Sequence, residues 1–322
     1  VIPAHNAART VGACVEALLV QTIATSRYEV IVVDDGSTDD TAAVAARAGA
    51  RVIGVSRAGP AGARNHGVRS STGEIVLFTD ADCVPAPDWI ERMIGPFAAG
   101  ADGVKGAYLT RQRSLVARFV QAEFEERYDR LARFERIDFV DTYSAGYRRD
   151  VLVESGGFDS RFALPSAEDV DLSFRLAQKG YRFVFEPRAR VYHQHPATLR
   201  AYLTRKWRYG VYRAVVYRRY PGKVTGDSYT PRLMLAEITL AGLTLASVFG
   251  AAVDRRFLRL AGPFALGHVV ASVPFAARYA SADVTLALAS PVLLFLRSYA
   301  QLSGLITGFV RSAVTGSPKT PR

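Results

Sequence analysis

Residues 29–48 read EVIVVDDGSTDDTAAVAARA, and the change of pattern inside that stretch decides the fold class. The β-branched run Glu29–Val33 has the composition of a buried strand. It ends in the polar turn Asp34-Asp35-Gly36-Ser37. The Ala-rich segment Thr38–Ala48 then predicts a helix, with Ser37 or Thr38 as its N-cap. The same alternation continues on both sides. Upstream, Thr10–Gln21 carries Val11, Val15, Leu18 and Leu19 at helical spacing. The chain opens at Val1-Ile2-Pro3, already inside an expected strand, so further residues are expected before it. Downstream, Arg51–Val55 and Glu74–Thr79 read as two more buried strands. Strand, helix, strand, helix, strand predicts right-handed crossovers and an α/β fold with a mostly parallel central sheet and flanking helices.

The rest of the chain is built differently. It has 322 residues, 49% apolar and 22% charged, which supplies a packed core and excludes global disorder. Two cysteines, Cys14 and Cys83, make no disulfide framework and suit a reducing compartment. The net charge of +11 suits a nucleotide, an anionic membrane surface or nucleic acid. Most of it lies in residues 200–232, where nine basic residues face the single Asp227. Tyr202, Trp207, Tyr209, Tyr212, Tyr217 and Tyr220 interleave with them. A solvated helix, a nucleic-acid patch and a membrane-interface helix all fit that mixture. The apolar runs that follow favour the membrane over nucleic acid. Leu233–Val253, Phe257–Ala277 and Val284–Val310 are each near or above the ~20 residues of a membrane helix. Glu237, Arg259, His268 and Arg297 interrupt them; Glu237 and Arg259 lie near run ends, where they can snorkel, and Arg297 is the costliest. A buried helical subdomain is the competing reading. The expected organisation is a catalytic domain over 1–199, a basic interfacial segment over 200–232, a hydrophobic helical region over 233–314 and a disordered tail over 315–322.

In an open parallel sheet, ligands bind beyond the carboxyl ends of the strands. Three of the expected strand ends carry polar groups on what should be one rim: Pro3-Ala4-His5-Asn6, Asp34-Asp35-Gly36-Ser37 and Asp80-Ala81-Asp82. Turn and capping chemistry explains Ser37 and Asp40. It explains Asp80 and Asp82 poorly, because two carboxylates directly after the apolar EIVLFT repel each other without a cation or donor between them. Mg²⁺ or Mn²⁺ held by one or two carboxylates and completed by a diphosphate meets that need. Asp-x-Asp alone is a weak motif.

The combination is specific. VIPAHNAARTVGACVEALLVQ, VIVVDDGSTDDT, GPAGARNHGVRSSTGEIVLFTDADC, SAGYRRDVLVESGGFDSRF and EDVDLSFRLAQKGYRFVFEPRARVYHQHP stand in the order and spacing of the family 2 glycosyltransferases. The chain resembles that family over roughly residues 1–221. TRKWRYGVYRAVVYRRYP resembles the basic segment of membrane-associated exopolysaccharide-type members. The resemblance implies the GT-A fold, a Rossmann-like α/β architecture, and an inverting transfer of a hexose-type sugar from a nucleotide-diphosphate sugar. Under it, Pro3, Ala4 and Asn6 match the first base-binding turn, although Ala7 stands where many members carry an acidic residue. Asp34 and Asp35 match the pair that meets base or ribose. Arg64 matches a basic position near the nucleotide. Asp80 and Asp82 match the Asp-x-Asp motif, with Asp82 the stronger metal ligand. Glu168 and Asp169 match the motif whose Asp is the catalytic base, and His193 sits where some members supply a third metal ligand. Gly156-Gly157-Phe158-Asp159 matches a loop near the acceptor.

These roles agree with elementary chemistry. An inverting transfer needs a carboxylate within hydrogen-bond reach of the acceptor hydroxyl, on the face opposite the leaving diphosphate. A first-turn acidic pair that only stabilises a helix N-terminus is the simpler account of Glu168 and Asp169, and both can hold. His195 is an alternate to His193, His5 a turn residue, Cys83 a small buried filler and Trp89 helix-start packing. The expected function is transfer of a sugar to an acceptor hydroxyl, on a lipid-linked or cell-envelope glycan. The expected place is the cell membrane, with the catalytic domain facing the cytoplasm because the basic flank precedes the first apolar run. A nucleotide-sugar binder without catalysis is the first alternative. A dinucleotide-dependent oxidoreductase is the second, and PAHNAART lacks its G-x-G-x-x-G fingerprint.

Overall fold

The structure is a computed structural model that describes residues 1–160, 168–224 and 226–315. The tail expected to be disordered lies outside the described residues from 316 onward, as does the end of the segment around Gly156 from 161. Two compact units emerge, Val1–Arg111 with Tyr128–Gln194, and Gln112–Arg127 with 195 onward.

The first unit opens with β1 (Ile2–Ala4), α1 (Val11–Leu19), β2 (Ile31–Asp35), α2 (Thr41–Arg47) and β3 (Arg51–Val55). It continues through α3 (Gly59–Ser70), β4 (Ile75–Thr79), β5 (Cys83–Pro85), α4 (Trp89–Ala98) and β6 (Gly103–Leu109). Helix α5 (Leu115–Leu131) follows, its residues to Arg127 clustering with the second unit. β7 (Ser144–Arg148), α6 (Arg149–Glu154), α7 (Glu168–Gln178) and β8 (Phe183–His193) complete the first unit. Helix α1 buries Val11, Cys14, Val15 and Leu18, the spacing that puts one apolar stripe on the sheet. Ile31, Val33 and Ala63 form a core cluster, with Val1, Ile53 and Val55 packed against it.

Strands β1, β2 and β3 pair in parallel, with Pro3 beside Val33 and Ala4 beside Asp34. The Val1 nitrogen donates to the Leu77 carbonyl at 2.8 Å, and the Thr79 amide donates to Val1 at 3.4 Å. That pattern sets β4 along β1 in parallel sense. The parallel pairing behind the expected, mostly parallel sheet therefore runs through β3, β2, β1 and β4, beyond which antiparallel pairs predominate. The second sheet has the order β4-β7-β6-β8-β5, and within it only β6 and β8 pair in parallel. The strand–helix alternation behind the expectation ends at β4, where the chain turns into β5 with no crossover helix. Because β1, β2 and β4 run the same way, their carboxyl ends share one rim.

The expected cap of α2 is also corrected. Its N-cap is Asp40, without a side-chain capping bond. The Ser37 hydroxyl accepts the Asn6 amide, and the Thr38 amide donates to Asn6 Oδ1 at 2.8 Å, so a tertiary partner has taken both residues.

The second unit contains α5 to Arg127, α8 (Leu199–Arg219), α9 (Arg232–Gly250), α10 (Leu258–Tyr279) and α11 (Val284–Thr315). Among the described residues, three segments are long and apolar enough to cross a membrane: Arg232–Gly250, Arg255–Tyr279 and Val284–Arg311. Helix α8 buries Tyr202, Lys206, Gly210 and Ala214 on one stripe. At Gly210 an added side chain would run into the Gln301 carbonyl, which lets α8 and α11 pack backbone to backbone.

The charges inside the apolar runs find each other. Arg297 Nη1 donates to Glu123 Oε1 at 2.9 Å and its Nη2 pairs with Glu237. Lys206 donates to Glu123 Oε2 at 2.8 Å, and His268 Nδ1 lies 3.2 Å from the Glu237 carbonyl. Glu237 lies near a run end, where snorkelling was open to it. It is only 2% exposed, because a partner on α11 satisfies it inside the unit. Arg259 is exposed.

Candidate active site

The rim of the first unit is stitched by short polar contacts. Asn6 takes a left-handed backbone, φ 51°, which turns the chain sharply after β1. Its amide donates to the Ser37 hydroxyl at 2.9 Å, and the Ala7 amide to the Thr41 hydroxyl at 2.7 Å. His5 Nδ1 lies 3.0 Å from the Asp35 carbonyl. The two acids ending β2 differ. Asp35 is buried and accepts the Ala58 amide, which anchors the entry to α3. Asp34 is half-buried and accepts from the Ser37 amide at 3.3 Å. Pro3, Ala4, Asn6, Asp34 and Asp35 thus line adjacent strand ends.

Arg64 links the more distant groups. It sits on α3 and is 4% exposed. Its Nη1 donates to Glu168 Oε1 at 2.8 Å and its Nη2 to Asp80 Oδ1 at 3.3 Å. One guanidinium thereby joins the acid ending β4 to the first turn of α7. Phe158 supports it, its ring centroid 5.7 Å from the guanidinium carbon. Two left-handed glycines, Gly156 and Gly157, deliver Phe158 there. Asn65 clamps that turn, accepting the Phe158 amide at 2.9 Å and donating to its carbonyl at 2.7 Å.

Beside Glu168, Asp169 is half-buried and accepts the Val170 amide at 2.8 Å. Burial, then the neighbouring Glu168 and Asp141, pushes its carboxyl up to about 8, while Arg64 pulls the other way. Burial also raises the Asp80 carboxyl above its ordinary range, with Arg64 opposing and Asp82 adding to the rise.

On the other side of Asp80, β5 pairs antiparallel with β8 and sets Cys83 opposite His193. That register brings His193 Nδ1 to 3.6 Å from Asp82 Oδ1. One ligand atom each from Asp82, Cys83 and His193 lies within 4.8 Å of the others. Asp82 keeps half its side chain exposed, and the His193 ring stacks on Tyr108. Burial raises the Cys83 thiol well above its ordinary range. The carboxylate of Asp82 and the imidazole of His193 are donors that suit an Mn²⁺-type ion. Asp80 is turned to Arg64 and is absent from that group. His195 lies in the second unit, where its Nε2 is 3.0 Å from Gln121 Oε1. Trp89 is buried and donates from Nε1 to the Ser144 hydroxyl at 2.8 Å.

Sequence reading passed over Lys105 and Asp141. Lys105 lies fully buried in β6 and is paired with Asp141. Its signal was available, a charge inside the apolar strand GVKGAYL; its partner's position was not.

Comparison with known proteins bears on this arrangement. Residues 1–156 match the family model described as glycosyl transferase family 2. The pre-mycofactocin glycosyltransferase of Mycobacterium tuberculosis is 30% identical over 248 residues, covering 71% of this chain and 52% of that protein. The chain thus spans about half the length of that relative. An uncharacterized glycosyltransferase of Mycobacterium bovis is 34% identical over 164 residues, covering 49% of this chain and 71% of that protein. Among solved structures, the mannosyltransferase PcManGT from Pyrobaculum calidifontis, in complex with GDP-Man and Mn²⁺, superposes with a TM-score of 0.57. The match covers 97% of this chain and 85% of that one at 21% identity, a likeness of fold.

Proposed function

The chain belongs to glycosyl transferase family 2, and from that premise we propose that it transfers a sugar from a nucleotide-diphosphate donor to an acceptor hydroxyl with inversion. The observation that carries the reading is Arg64, which ties Asp80 of the Asp-x-Asp turn to Glu168, the neighbour of Asp169. Two acidic motifs far apart in sequence are thereby drawn to one guanidinium. Pro3, Ala4, Asn6, Asp34 and Asp35 hold the base and ribose at the strand ends. Arg64, Asp80 and Glu168 orient the diphosphate side of the donor. Asp169 takes the proton of the acceptor hydroxyl, and its raised proton affinity suits a base that works near neutral pH.

Asp82 and His193 would hold Mg²⁺ or Mn²⁺. A bound divalent ion supplies positive charge against the leaving diphosphate. The acceptor is a lipid-linked or cell-envelope glycan, because the apolar helices α9, α10 and α11 and the basic α8 suit a membrane rather than a soluble partner. The positive flank of α8 before α9 supports a catalytic unit on the cytoplasmic side.

The test is nucleoside diphosphate release from UDP-glucose, UDP-N-acetylglucosamine and GDP-mannose, with Mn²⁺ or Mg²⁺ and membrane extract as acceptor. Asp169→Asn is expected to lose turnover by at least 100-fold while keeping donor affinity. An Asp169→Asn variant with the parent's turnover would remove Asp169 as base. A parent chain that binds these donors and releases nothing favours the binder without catalysis.

A further inference from the structure

Lys105 carries a charge where an apolar residue would pack as well. It has no exposed surface, and its ammonium pairs with Asp141 and donates to the Tyr143 hydroxyl at 3.1 Å. The rings of Tyr128, Phe139 and Tyr143 surround it, Tyr143 nearest at 4.7 Å from the centroid. Desolvating such a pair costs several kcal/mol per ion, and hydrophobic replacements of buried pairs are often neutral or stabilising. Stability alone therefore explains the pair poorly.

Its location explains it better. The Ser173 hydroxyl on α7 accepts the Val140 amide at 3.0 Å and donates to the Asp169 carbonyl at 2.7 Å. The residue before Asp141 is thus pinned to the turn that carries Asp169. Phe139 packs on Phe174 of the same helix. Arg64 and Glu168 hold that turn from its other side. Asp141 keeps 13% of its side chain exposed, whereas Lys105 behind it keeps none. The cage also reaches the other end of the site, because Tyr143 stacks on Tyr108 and Tyr108 on His193.

We propose that Lys105 and Asp141 form a positioning pair that fixes the first turn of α7, and the electrostatic surroundings of Asp169, for the transfer. The proposal rests on the reading of Asp169 as the base. Charged and titratable groups facing Asp169 are Glu168 beside it, Arg64 from α3, Tyr147 from β7 and Asp141 from the segment before β7. Asp80 reaches this group through Arg64. Asp141 opposes ionisation of Asp169, and Lys105 offsets Asp141. The two substitutions therefore act with opposite sign, which a merely structural pair would not produce.

The experiment records kcat/KM against pH for the full chain, using whichever of UDP-glucose, UDP-N-acetylglucosamine and GDP-mannose the parent turns over fastest. Asp141→Asn is expected to move the acid limb to lower pH, on the order of one unit. Lys105→Met leaves Asp141 uncompensated and moves the limb to higher pH. The double variant returns it toward the parent. Limbs that stay in place, or that move the same way in both single variants, overturn the proposal. Should Lys105→Met fail to fold, Asp141→Asn decides alone, since Asn still accepts from Lys105 and an unmoved limb is then sufficient to reject the pair. Asp169→Asn, run in parallel, separates the two readings. If it keeps turnover, the base assignment fails; if it is inactive and the limbs do not oppose, only the pair fails.

Discussion

Arg64 and Arg297 are both buried arginines that bridge two carboxylates, Arg64 between Asp80 and Glu168 in the first unit, Arg297 between Glu123 and Glu237 in the second. Their surroundings diverge. Around Arg297 the acids are sealed, Glu123 at 1% and Glu237 at 3% side-chain exposure, and Lys206 adds a second cation. There Lys206 and Arg297 hold the Glu123 carboxyl down at about 2 against its burial, and burial lowers the Lys206 ammonium to about 7. Around Arg64, Asp80 keeps 35% of its side chain exposed, and Asp169 adds an acid that no cation fully offsets. A closed, charge-balanced network stabilises an arrangement of helices. An open network with surplus carboxylate stores unfavourable electrostatics at a surface, which persists where chemistry uses it.

The largest break in this comparison comes from removing Arg64. Arg64→Met leaves Glu168 buried without its cation and frees Asp80. Destabilisation of about 3–5 kcal/mol is expected, with turnover falling on the order of 100-fold or more because α7 loses its register with β4. Steady-state kinetics and thermal unfolding of the same preparation check both. A variant as stable as the parent with unchanged kcat would place Arg64 outside the machinery.

Arg297 sharpens the contrast. Arg297→Met alone strands Glu237 and costs about 3–5 kcal/mol in thermal unfolding of the detergent-solubilised chain. The pair Glu237→Met with Arg297→Met is expected to recover most of that loss, because two matched apolar residues replace two matched charges. Donor affinity stays at the parent value in every one of these variants. If the double variant proves no better than the single, Arg297 acts through Glu123 rather than Glu237, and the closed network is organised around α5.

What the sequence disclosed follows the range of each interaction. β3 at Arg51–Val55 and the helices over the three apolar runs are local patterns of periodicity and composition, and both were legible. Ser37 and Thr38 were misread as caps because Asn6 engages both, and that contact exists only once β1 lies beside β2. The antiparallel half of the fold was invisible because the strand pairing that sets Cys83 opposite His193 joins residues far apart in the chain. Asp80, Asp82, Glu168, Asp169 and His193 were singled out through the family resemblance and its motif spacing. That Arg64 joins two of them, while Asp82 and His193 meet separately, depends on the folded arrangement of α3, α7, β5 and β8. Lys105 and Asp141 belong to no motif that was read, and a lysine in an apolar strand carries no hint of which acid it meets.

The weakest effect on the folded chain, and the last contrast between the units, concerns the exposed face of α8. Neutralising Lys206 would test nothing about a membrane, because it is 4% exposed and held by Glu123. Arg200, Arg208 and Arg218 are exposed, and they carry the test instead. Each basic side chain near an anionic surface contributes about 1 kcal/mol at modest ionic strength. The triple Gln variant is therefore expected to partition into phosphatidylglycerol-rich vesicles roughly 100-fold less well. The deficit should shrink as salt shortens the screening length. Vesicle flotation across a salt series measures this, and unfolding temperature should stay within experimental scatter, since none of the three enters the Glu123 network. Equal flotation of variant and parent at low salt would assign membrane binding to the apolar faces of α9 and α10 alone, and would leave the cytoplasmic placement without its basic flank.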